Sequence, residues 1–360
     1  MKGYVVGMVE SQHPDAMIPL SDDWSRLLFS GNNNNSPAYD NTFTAVNTMV
    51  KIPEFWYIDE YVPSTKTHNL KISQTAKAGW CHHKEAYVGA YEGWCDDTYY
   101  YSRLNQIPTV SVTRETLRTK ARANGYNGES KWNIYTYEEH RAICHLFLVE
   151  YATRNCQAAV NGSLTAEGFR QGGLGSGCTT GIMNGAYSFI PTGTTDSLGN
   201  GSGQVAYTAS NGTTYYANRY RGIENPFGHI WKHCDDVITQ IVQSDYRTAY
   251  KCEDPSQFAT SKNAKYKPIC SFASDLKGYK KEIKATINCD FFAESVGGSE
   301  STYWCDYNYD NTDTSEHCLL IGGGSGGGGG AGLFGFGLNN GVGASYISIG
   351  SRLTYLPWAE

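Results

Sequence analysis

Histidine pairs with metal-ligand spacing are the first feature of the sequence that could support chemistry. His229 and His233 stand four residues apart, and Asp235 and Asp236 follow them. On a helix, this spacing would place two imidazoles on one face, where they could hold a transition metal. Isolated pairs more often serve packing or lie on the surface, so we expect no metal site here. The same holds for two similar stretches, CHHK at residues 81–84 and HRAICH at residues 140–145.

A second candidate metal site is the acidic stretch DYNYDNTDTSE, residues 306–316. Asp306, Asn308 and Asp310 alternate in it as the first ligands of a calcium loop do. The central glycine is missing, and His317 stands where the bidentate glutamate is expected. We therefore favour a solvated loop and expect no cofactor, with calcium left as an open alternative.

Catalytic motifs are not found in the sequence. It contains no nucleophile elbow, phosphate-binding loop or dinucleotide fingerprint. Glu138 and Glu139 could form a carboxylate pair, but Glu139 stands three residues after Thr136, the spacing of a helix capping box. We therefore predict a protein that is not an enzyme.

Composition narrows the class of protein. The net charge of −6 gives no electrostatic footprint for nucleic acid or for an anionic membrane. No apolar run is long enough to span a bilayer, and the first residues do not form a signal peptide. The eleven cysteines are odd in number and lack CxxC spacing, which disfavours a disulfide framework and predicts mostly buried thiols. We expect assembly in a reducing cytosol.

The stretch IGGGSGGGGGAGLFGFGLNN, residues 321–340, needs an explanation of its own. Eight of the nine residues from Gly322 to Gly330 are glycine, a composition typical of a flexible linker. Only thirty residues follow Gly330, and aromatic and β-branched residues alternate with small ones among them, as in strands. We therefore predict a folded segment in which glycine exposes backbone groups to a ligand. Four apolar side chains would form its floor: Leu333, Phe334, Phe336 and Leu338.

The remaining pattern predicts short strands, few helices and long loops. Strands are expected across residues 49–62, 69–80 and 86–94, and a strand followed by a helix across residues 109–125. A longer helix is expected to begin at Thr136 and to place Glu150 on its apolar stripe, where a tyrosine hydroxyl or backbone amides would bond it. Asn211-Gly212 predicts a hairpin. Residues 1–50, with their asparagine run, are predicted to be an attachment or oligomerisation segment.

A family resemblance appears at YRGIENPFGHIWKHCDDVI, residues 220–238. Its pattern G-I-E-N-x-x-G-x-x-W resembles a segment of the C-type-lectin-like fold of formylglycine-generating enzymes and their phage relatives. Three further stretches agree in order: AYVGAYEG with SRLNQIPTVSVTRETLR, then LFLVEYATRNCQ, then SVGGSESTYWCDYNYDN with the segments that follow it. Together they cover most of residues 50–357 and resemble tail or receptor-binding proteins of gut bacteriophages.

This resemblance implies an α+β, C-type-lectin-like domain over residues 51–360, with small antiparallel sheets and a binding face built from loops. It implies a virion protein of the tail fibre or tail tip, assembled in the host cytoplasm, that binds a bacterial surface glycan or protein without catalysis. Other virion subunits and further copies of the chain, taken as a trimer, are the other expected partners. The predicted ligand-binding residues are Trp304, Tyr307, Tyr309, Gly324, Ser325, Gly326, Gly328, Phe334, Phe336, Tyr346 and Ser348.

In some relatives the corresponding end is hypervariable, because a diversity-generating retroelement alters adenines in asparagine codons. The glycine-rich residues could be products of such editing, or simply a fixed loop. Two other functions stay open. One is a structural virion component whose glycine-rich end packs on a neighbouring subunit. The other is a divergent formylglycine-generating oxidase, which the lack of any cysteine after Cys318 disfavours, since copper needs adjacent soft ligands.

Overall fold

Strands dominate the structure, and helices are few. The computed structural model describes residues 5–9, 17–19, 46–125, 130–160, 189–208, 212, 214–243 and 245–359, the first two ranges as backbone only. The helices are α1 (Arg114–Arg122), α2 (Tyr137–Tyr151) and α3 (Cys156–Val160). The strands are β1 (Val5–Val9), β2 (Met17–Pro19), β3 (Val46–Ile52), β4 (Phe55–Val62), β5 (Thr67–Ser73), β6 (Cys81–His83), β7 (Ala86–Glu92), β8 (Trp94–Cys95), β9 (Tyr100–Tyr101), β10 (Trp132–Ile134), β11 (Gly203–Thr208), β12 (Thr214–Tyr220), β13 (Ile223–Glu224), β14 (Trp231–Gln243), β15 (Tyr246–Lys251), β16 (Lys267–Ala273), β17 (Gly278–Ile283), β18 (Ala293–Val296), β19 (Tyr307–Tyr309), β20 (His317–Ile321), β21 (Phe336–Gly337), β22 (Ile349–Gly350) and β23 (Arg352–Tyr355).

Two larger sheets organise the described residues. One has the order β10-β23-β7-β3-β1-β2, so the last strand of the chain lies between two early ones. The other has the order β16-β15-β14-β20-β21-β19-β17-β18, with β22 added beside β14. Smaller sheets are formed by β5-β4-β6, by β11-β12-β13 and by β8-β9. The strand-rich class with few helices therefore agrees with the expectation.

Both longer helices begin at a threonine cap. The Thr113 side chain accepts a hydrogen bond from the Thr116 amide, and Thr136 accepts one from the Glu139 amide. The predicted start of α2 at Thr136 is therefore confirmed. The strand predicted ahead of α1 is wrong, because residues 109–113 are irregular and lead directly into the cap.

A bulge in β14 ties both helices to the second large sheet. The pairing of β14 with β20 shifts register between Cys234 and Ile238, which turns both intervening acids toward the helices. Asp235 receives two hydrogen bonds from Arg118 of α1, both at 2.7 Å. Asp236 accepts hydrogen bonds from the first two amides of α2, at 2.6 and 3.1 Å. Each helix is thus held by one carboxylate of the same bulge.

Arg114 fills the space between α1 and this bulge. Its side chain is fully buried, and its guanidinium donates to the carbonyls of Cys234 and Val237, at 3.2 and 3.1 Å. The other end donates to two carbonyls of the loop after β15, at 3.1 and 2.8 Å. A buried guanidinium is tolerated here because both terminal nitrogens have acceptors and the Nε lies 3.8 Å from the Asp235 carboxylate.

The predicted hairpin is present, and Glu150 lies elsewhere than predicted. Strands β11 and β12 pair as the hairpin that Asn211-Gly212 predicts, although residue 211 itself lies outside the described residues. Glu150 is exposed rather than turned into the apolar stripe, since α2 ends beside solvent there. It accepts a hydrogen bond from the Tyr220 hydroxyl at 2.9 Å, as predicted, and also pairs with Arg221.

The expected boundary at residue 50 falls inside β3, and β1 and β2 extend the same sheet. The asparagine run, residues 32–35, and the glycine-punctuated stretch at residues 162–181 lie outside the described residues. An attachment role for residues 1–50 stays a prediction. Across the described ranges, no helix combines the length and the apolar character that a membrane span needs.

Replacing Asp236 by alanine tests the bulge. Two amides at the start of α2 would lose their acceptor in a buried setting, so we expect Asp236→Ala to lower the free energy of unfolding by about 2–3 kcal/mol. Chemical denaturation measures this value. Glu115→Ala, at an exposed position on α1, is the control and should change it by less than about 0.5 kcal/mol. Equal effects of the two substitutions would contradict the assignment.

Candidate ligand-binding site

The glycine-rich segment is folded, as predicted. Ser325–Gly330 forms short 3-10 turns between β20 and β21. Between Gly322 and Gly330, most residues are buried, and only Gly326 and Gly327 are exposed or half-exposed. The outward presentation of peptide groups is therefore confined to this tip.

Backbone contacts hold the segment on both sides. The Ser325 amide donates to the His229 carbonyl at 2.9 Å, and the Gly228 amide donates to the Gly322 carbonyl at 3.0 Å. Gln157 of α3 donates from its side chain to the Gly328 carbonyl at 3.1 Å and also bonds the Ala331 carbonyl. Such close contacts between main chains require small residues, which explains the composition.

At Gly323, φ is +74° and an added Cβ would lie 2.7 Å from the Cβ of Ala331. At Gly332, an added Cβ would collide with the carboxylate of Asp306. Gly326 differs, because an added Cβ there meets nothing within 4 Å. Some glycines of the segment are therefore required by space, whereas others are open.

The apolar floor exists as predicted, with all four of its side chains almost fully buried. Phe334 packs against Trp304 and Phe291, with ring centroids 5.1 and 5.3 Å apart. Phe336 lies under the amine of Lys280, which is 3.5 Å from the ring centroid. Burial lowers the pKa of Lys280 to about 7, and the amine donates to the Phe291 carbonyl at 2.8 Å.

Polar side chains beneath the floor bind its backbone. Asp306 accepts from the Phe334 amide at 2.8 Å, and burial raises the pKa of this carboxyl to about 7. The Leu333 amide donates to the Cys156 sulfur at 3.3 Å, and His140 of α2 donates to the Leu333 carbonyl at 2.7 Å. Burial lowers the pKa of His140 to about 3, so the ring is neutral. These groups act as clamps for the chain around Leu333.

The G-I-E-N stretch is also a structural hub. The Glu224 carboxylate accepts from the Gly193 and Thr195 amides at 3.0 and 2.7 Å. Its carbonyl and that of Asn225 accept from Arg352 of β23, at 2.5 and 3.1 Å. The motif thereby joins the loop at residues 193–195 to the last strand, next to the glycine-rich segment.

A buried charge cluster supports the same region. The Glu92 carboxylate is bonded to His229 and lies 2.8 Å from the Lys232 amine, and all three side chains are nearly inaccessible. Burial raises the pKa of Glu92, but His229 and Lys232 outweigh it and lower the value to about 2. His229 thus holds Glu92 through its ring and the glycine-rich segment through its carbonyl.

An open cleft lies on the Trp304 side of the floor. Its two adjoining hollows measure about 850 and about 300 Å³ and share Lys66, His68, Arg154 and Trp304; we call this site the Trp304 cleft. Tyr303, at its rim, is 46% exposed and has a φ of +58°. A left-handed backbone conformation is strained for a residue other than glycine, and such strain is frequent at functional sites.

The Trp304 cleft is positively charged although the whole chain is acidic. Its lining has two carboxylates, Glu282 and Glu294, and four cationic side chains: Lys66, Arg154, Lys281 and Lys284. Lys66 pairs with Glu282 and Lys284 with Glu294, both at 2.7 Å. The guanidinium of Arg154 lies 5.6 Å from the Trp304 ring centroid, and none of the described carboxylates pairs with it. An anionic group could bind at this position.

His68 also lines the Trp304 cleft. Its Nδ1 donates to the Asp59 carboxylate at 2.5 Å, and its ring meets Trp304 edge-on with centroids 6.3 Å apart. These contacts fix a flat aromatic surface beside the cation. Such a combination suits stacking and charge recognition better than it suits bond making.

The predicted ligand-binding residues fall into three groups. Trp304, Phe334 and Phe336 are buried in the floor, so their rings have little surface for a ligand. Gly324, Ser325 and Gly328 are buried in the segment, while Gly326 is exposed at its tip. Half-buried Tyr307 and Tyr309 pack on each other, with centroids 4.4 Å apart. Tyr346 is 58% exposed and Ser348 is half-buried, and their carbonyls accept from Ser111 and Trp231.

The histidine and acidic patterns lie in or beside strands. His233 is in β14 and His229 just before it, so the two imidazoles do not share a helix face. The described residues contain no group of three histidine, cysteine or acidic side chains that could hold a metal.

The other histidine pairs and the acidic stretch are also structural. His140 and His145 are buried and bond carbonyls, and His82 stacks on Trp56 in the β4–β6 sheet. Asp306 and Asp310 are buried on either side of β19, and Asp310 bonds Arg247 at 2.7 Å. Residues 311–316 form a mostly exposed loop, as predicted for this part of the stretch.

Sequence reasoning missed Arg154, His68 and the lysines of the cleft. They come from the β4–β5 hairpin, the end of α2 and the region around β17, which only the fold brings together. The sequence offered one clue to the cleft, because Tyr303 directly precedes Trp304, which was predicted to bind the ligand.

No protein-family model and no curated protein matches the sequence.

A pair of glycine substitutions tests whether the segment is fixed by packing. Gly323→Ala would force a left-handed residue against Ala331, so we expect a loss of about 2 kcal/mol or more in unfolding free energy. Gly326→Ala is the matched control and should change it by less than about 1 kcal/mol. Both are read by thermal and chemical denaturation. A flexible tether would tolerate both substitutions equally.

The buried charge cluster predicts a pH dependence. The pKa of Glu92 is lower in the folded than in the unfolded chain, so its contribution is present above about pH 4.5 and is lost as pH falls toward 2. The difference between the two pKa values corresponds to about 3 kcal/mol of folding stability at neutral pH. We expect Glu92→Gln to destabilise the protein by about this amount near neutral pH and by less near pH 3.

Glu60→Gln is the control for this measurement. Glu60 forms an exposed pair with Lys71 at 2.6 Å, so its loss should cost less than about 1 kcal/mol. A penalty for Glu92→Gln that stays constant between neutral and acid pH would contradict the charge assignment.

Proposed function

We propose that this chain is a phage virion protein whose C-type-lectin-like domain binds a molecule of the bacterial surface without turnover. The mainly antiparallel sheets, few helices and long connections support that fold. The Trp304 cleft is the observation that carries the binding function, because it combines an open volume, an exposed aromatic ring and a cation without a described carboxylate partner. Aromatic rings beside a few fixed polar groups are typical of ligand sites.

The ligand would be a surface glycan or protein segment with an acidic group. The acid would bind Arg154, and a ring or apolar face would stack on Tyr303. The excess of two positive charges in the cleft favours such a group over a neutral one. Many copies on one particle would add avidity, so each site can be weak.

Binding to an array of acidic and neutral bacterial surface glycans tests this proposal. We expect the protein to retain acidic glycans, and Arg154→Ala and Tyr303→Ala each to weaken retention about tenfold, since each removes one exposed contact. Lys265→Ala removes one positive charge at an exposed position that does not line the cleft, and should have no effect. Equal loss in all three variants would indicate only net charge, and undiminished binding in both cleft variants would overturn the site.

A structural virion component is the second candidate. Tyr346 and Ile347 are adjacent and 58% and 41% exposed, a small apolar surface that a neighbouring subunit could cover. The two functions differ in the assembled particle. There a receptor-binding cleft faces solvent, whereas a structural face is covered.

An oxidase of the formylglycine-generating type has less support. Cys318 is fully buried and its thiol donates to the Asn340 carbonyl at 3.4 Å, in place of a second cysteine. Copper-dependent oxidation of a peptide cysteine by the purified protein would revive this activity.

A further inference from the structure

Two cysteines that are 208 positions apart in the chain meet in the fold. The sulfur atoms of Cys81, in β6, and Cys289, in the loop after β17, are 3.9 Å apart. Cys81 is half-exposed and Cys289 is buried. No other two thiols contact each other among the described cysteines.

The surroundings hold both sulfurs in place. The Cys81 thiol donates to the Ile287 carbonyl, and the Asp59 amide donates to the Cys289 sulfur, each at 3.2 Å. Cys289 has a φ of +56°, although it is not glycine. Its carbonyl accepts from His145 of α2 at 3.0 Å, so packing keeps this strained residue in position.

We propose that Cys81 and Cys289 are a redox-active pair that forms a disulfide on contact with a low-molecular-weight disulfide such as oxidised glutathione. The Cys81 thiolate attacks one sulfur of that molecule, giving a mixed disulfide and one released thiolate. Cys289 then passes its proton to the released thiolate and attacks the Cys81 sulfur, and the second small sulfur leaves as a thiolate that takes a proton from water. The two protein sulfurs are oxidised, one small disulfide is reduced to two thiols, and atoms and electrons balance.

The order of attack follows from exposure and charge. Cys81 is the accessible sulfur, and the hydrogen bond from Cys289 lowers the pKa of its thiol. The same bond and burial raise the pKa of Cys289. The sulfurs must approach from 3.9 Å to about 2 Å to form the bond. Ile287, whose carbonyl contacts Cys81, has an exposed side chain and stands two residues before Cys289.

The bond would fasten the two walls of the Trp304 cleft. One wall is the β5-β4-β6 sheet, which carries His68 and is joined to Cys81 through β6. The other wall is β17 with the residues after it, including Lys281 and Lys284, and leads to Cys289. At present, the exposed Lys66–Glu282 pair links these walls. A covalent link would hold them under conditions that screen this ion pair.

Incubation of the full chain with oxidised glutathione, followed by digestion and mass spectrometry without reductant, tests the proposal. We expect one cross-linked peptide that contains Cys81 and Cys289, and a melting temperature a few degrees above that of the reduced protein. Cys81→Ser should lose both the cross-link and the shift. Cys95→Ser, which removes the other half-exposed cysteine of the described residues, should keep both.

Cys81→Ser is the primary variant, because replacing buried Cys289 disturbs packing. An unchanged melting curve of Cys81→Ser under reductant establishes that it folds. Separate glutathione adducts on Cys81 without a cross-link would overturn the proposal, and so would cross-links spread over other cysteines.

Discussion

The structure depends on one irregularity, the bulge at Asp235 and Asp236 in β14. A regular strand would send these acids to opposite faces, whereas the bulge directs one to each helix. Through Asp236 the start of α2 is fixed, and α2 in turn places His140 under Leu333 and His145 beside Cys289. The chain around Leu333 and around Cys289 is therefore positioned through the bulge in β14. Buried carboxylates are costly, and here each is compensated by donors in fixed directions.

The glycines of the glycine-rich segment allow its main chain to pack closely against neighbouring main chain. Without Cβ atoms, the main chain lies against residues 226–229, directly after the G-I-E-N stretch, and against residues 331–335. Gln157 donates to the Gly328 and Ala331 carbonyls. The entropy lost on ordering such a chain must be offset elsewhere. The aromatic floor supplies that offset, and the same floor fixes Trp304 through Phe334. The same packed aromatic floor therefore determines both the rigidity of the glycine-rich segment and the shape of the Trp304 cleft.

Local signals in the sequence were sufficient for local structure. Thr136 and the apolar spacing behind it predicted α2, and the alternation around Phe336 predicted a folded rather than a flexible segment. Patterns that required a long-range partner failed. The spacing of His229 and His233 fits a helix, but pairing with β20 makes His233 part of a strand. Asp235, two residues later, accepts hydrogen bonds from an arginine of α1. Arg154 gave no signal, because its role depends on a tryptophan that lies 150 positions later.

The space around each glycine determines which positions of this surface can accept a side chain. Gly323 and Gly332 have no room for a side chain, so a change there disturbs the floor and the fold with it. Gly326, Gly341 and Gly343 are exposed and meet nothing within 4 Å, and Tyr346 already carries an exposed ring. If this end of the chain is diversified, the variation that survives must fall on the open positions, because only there are fold and surface independent.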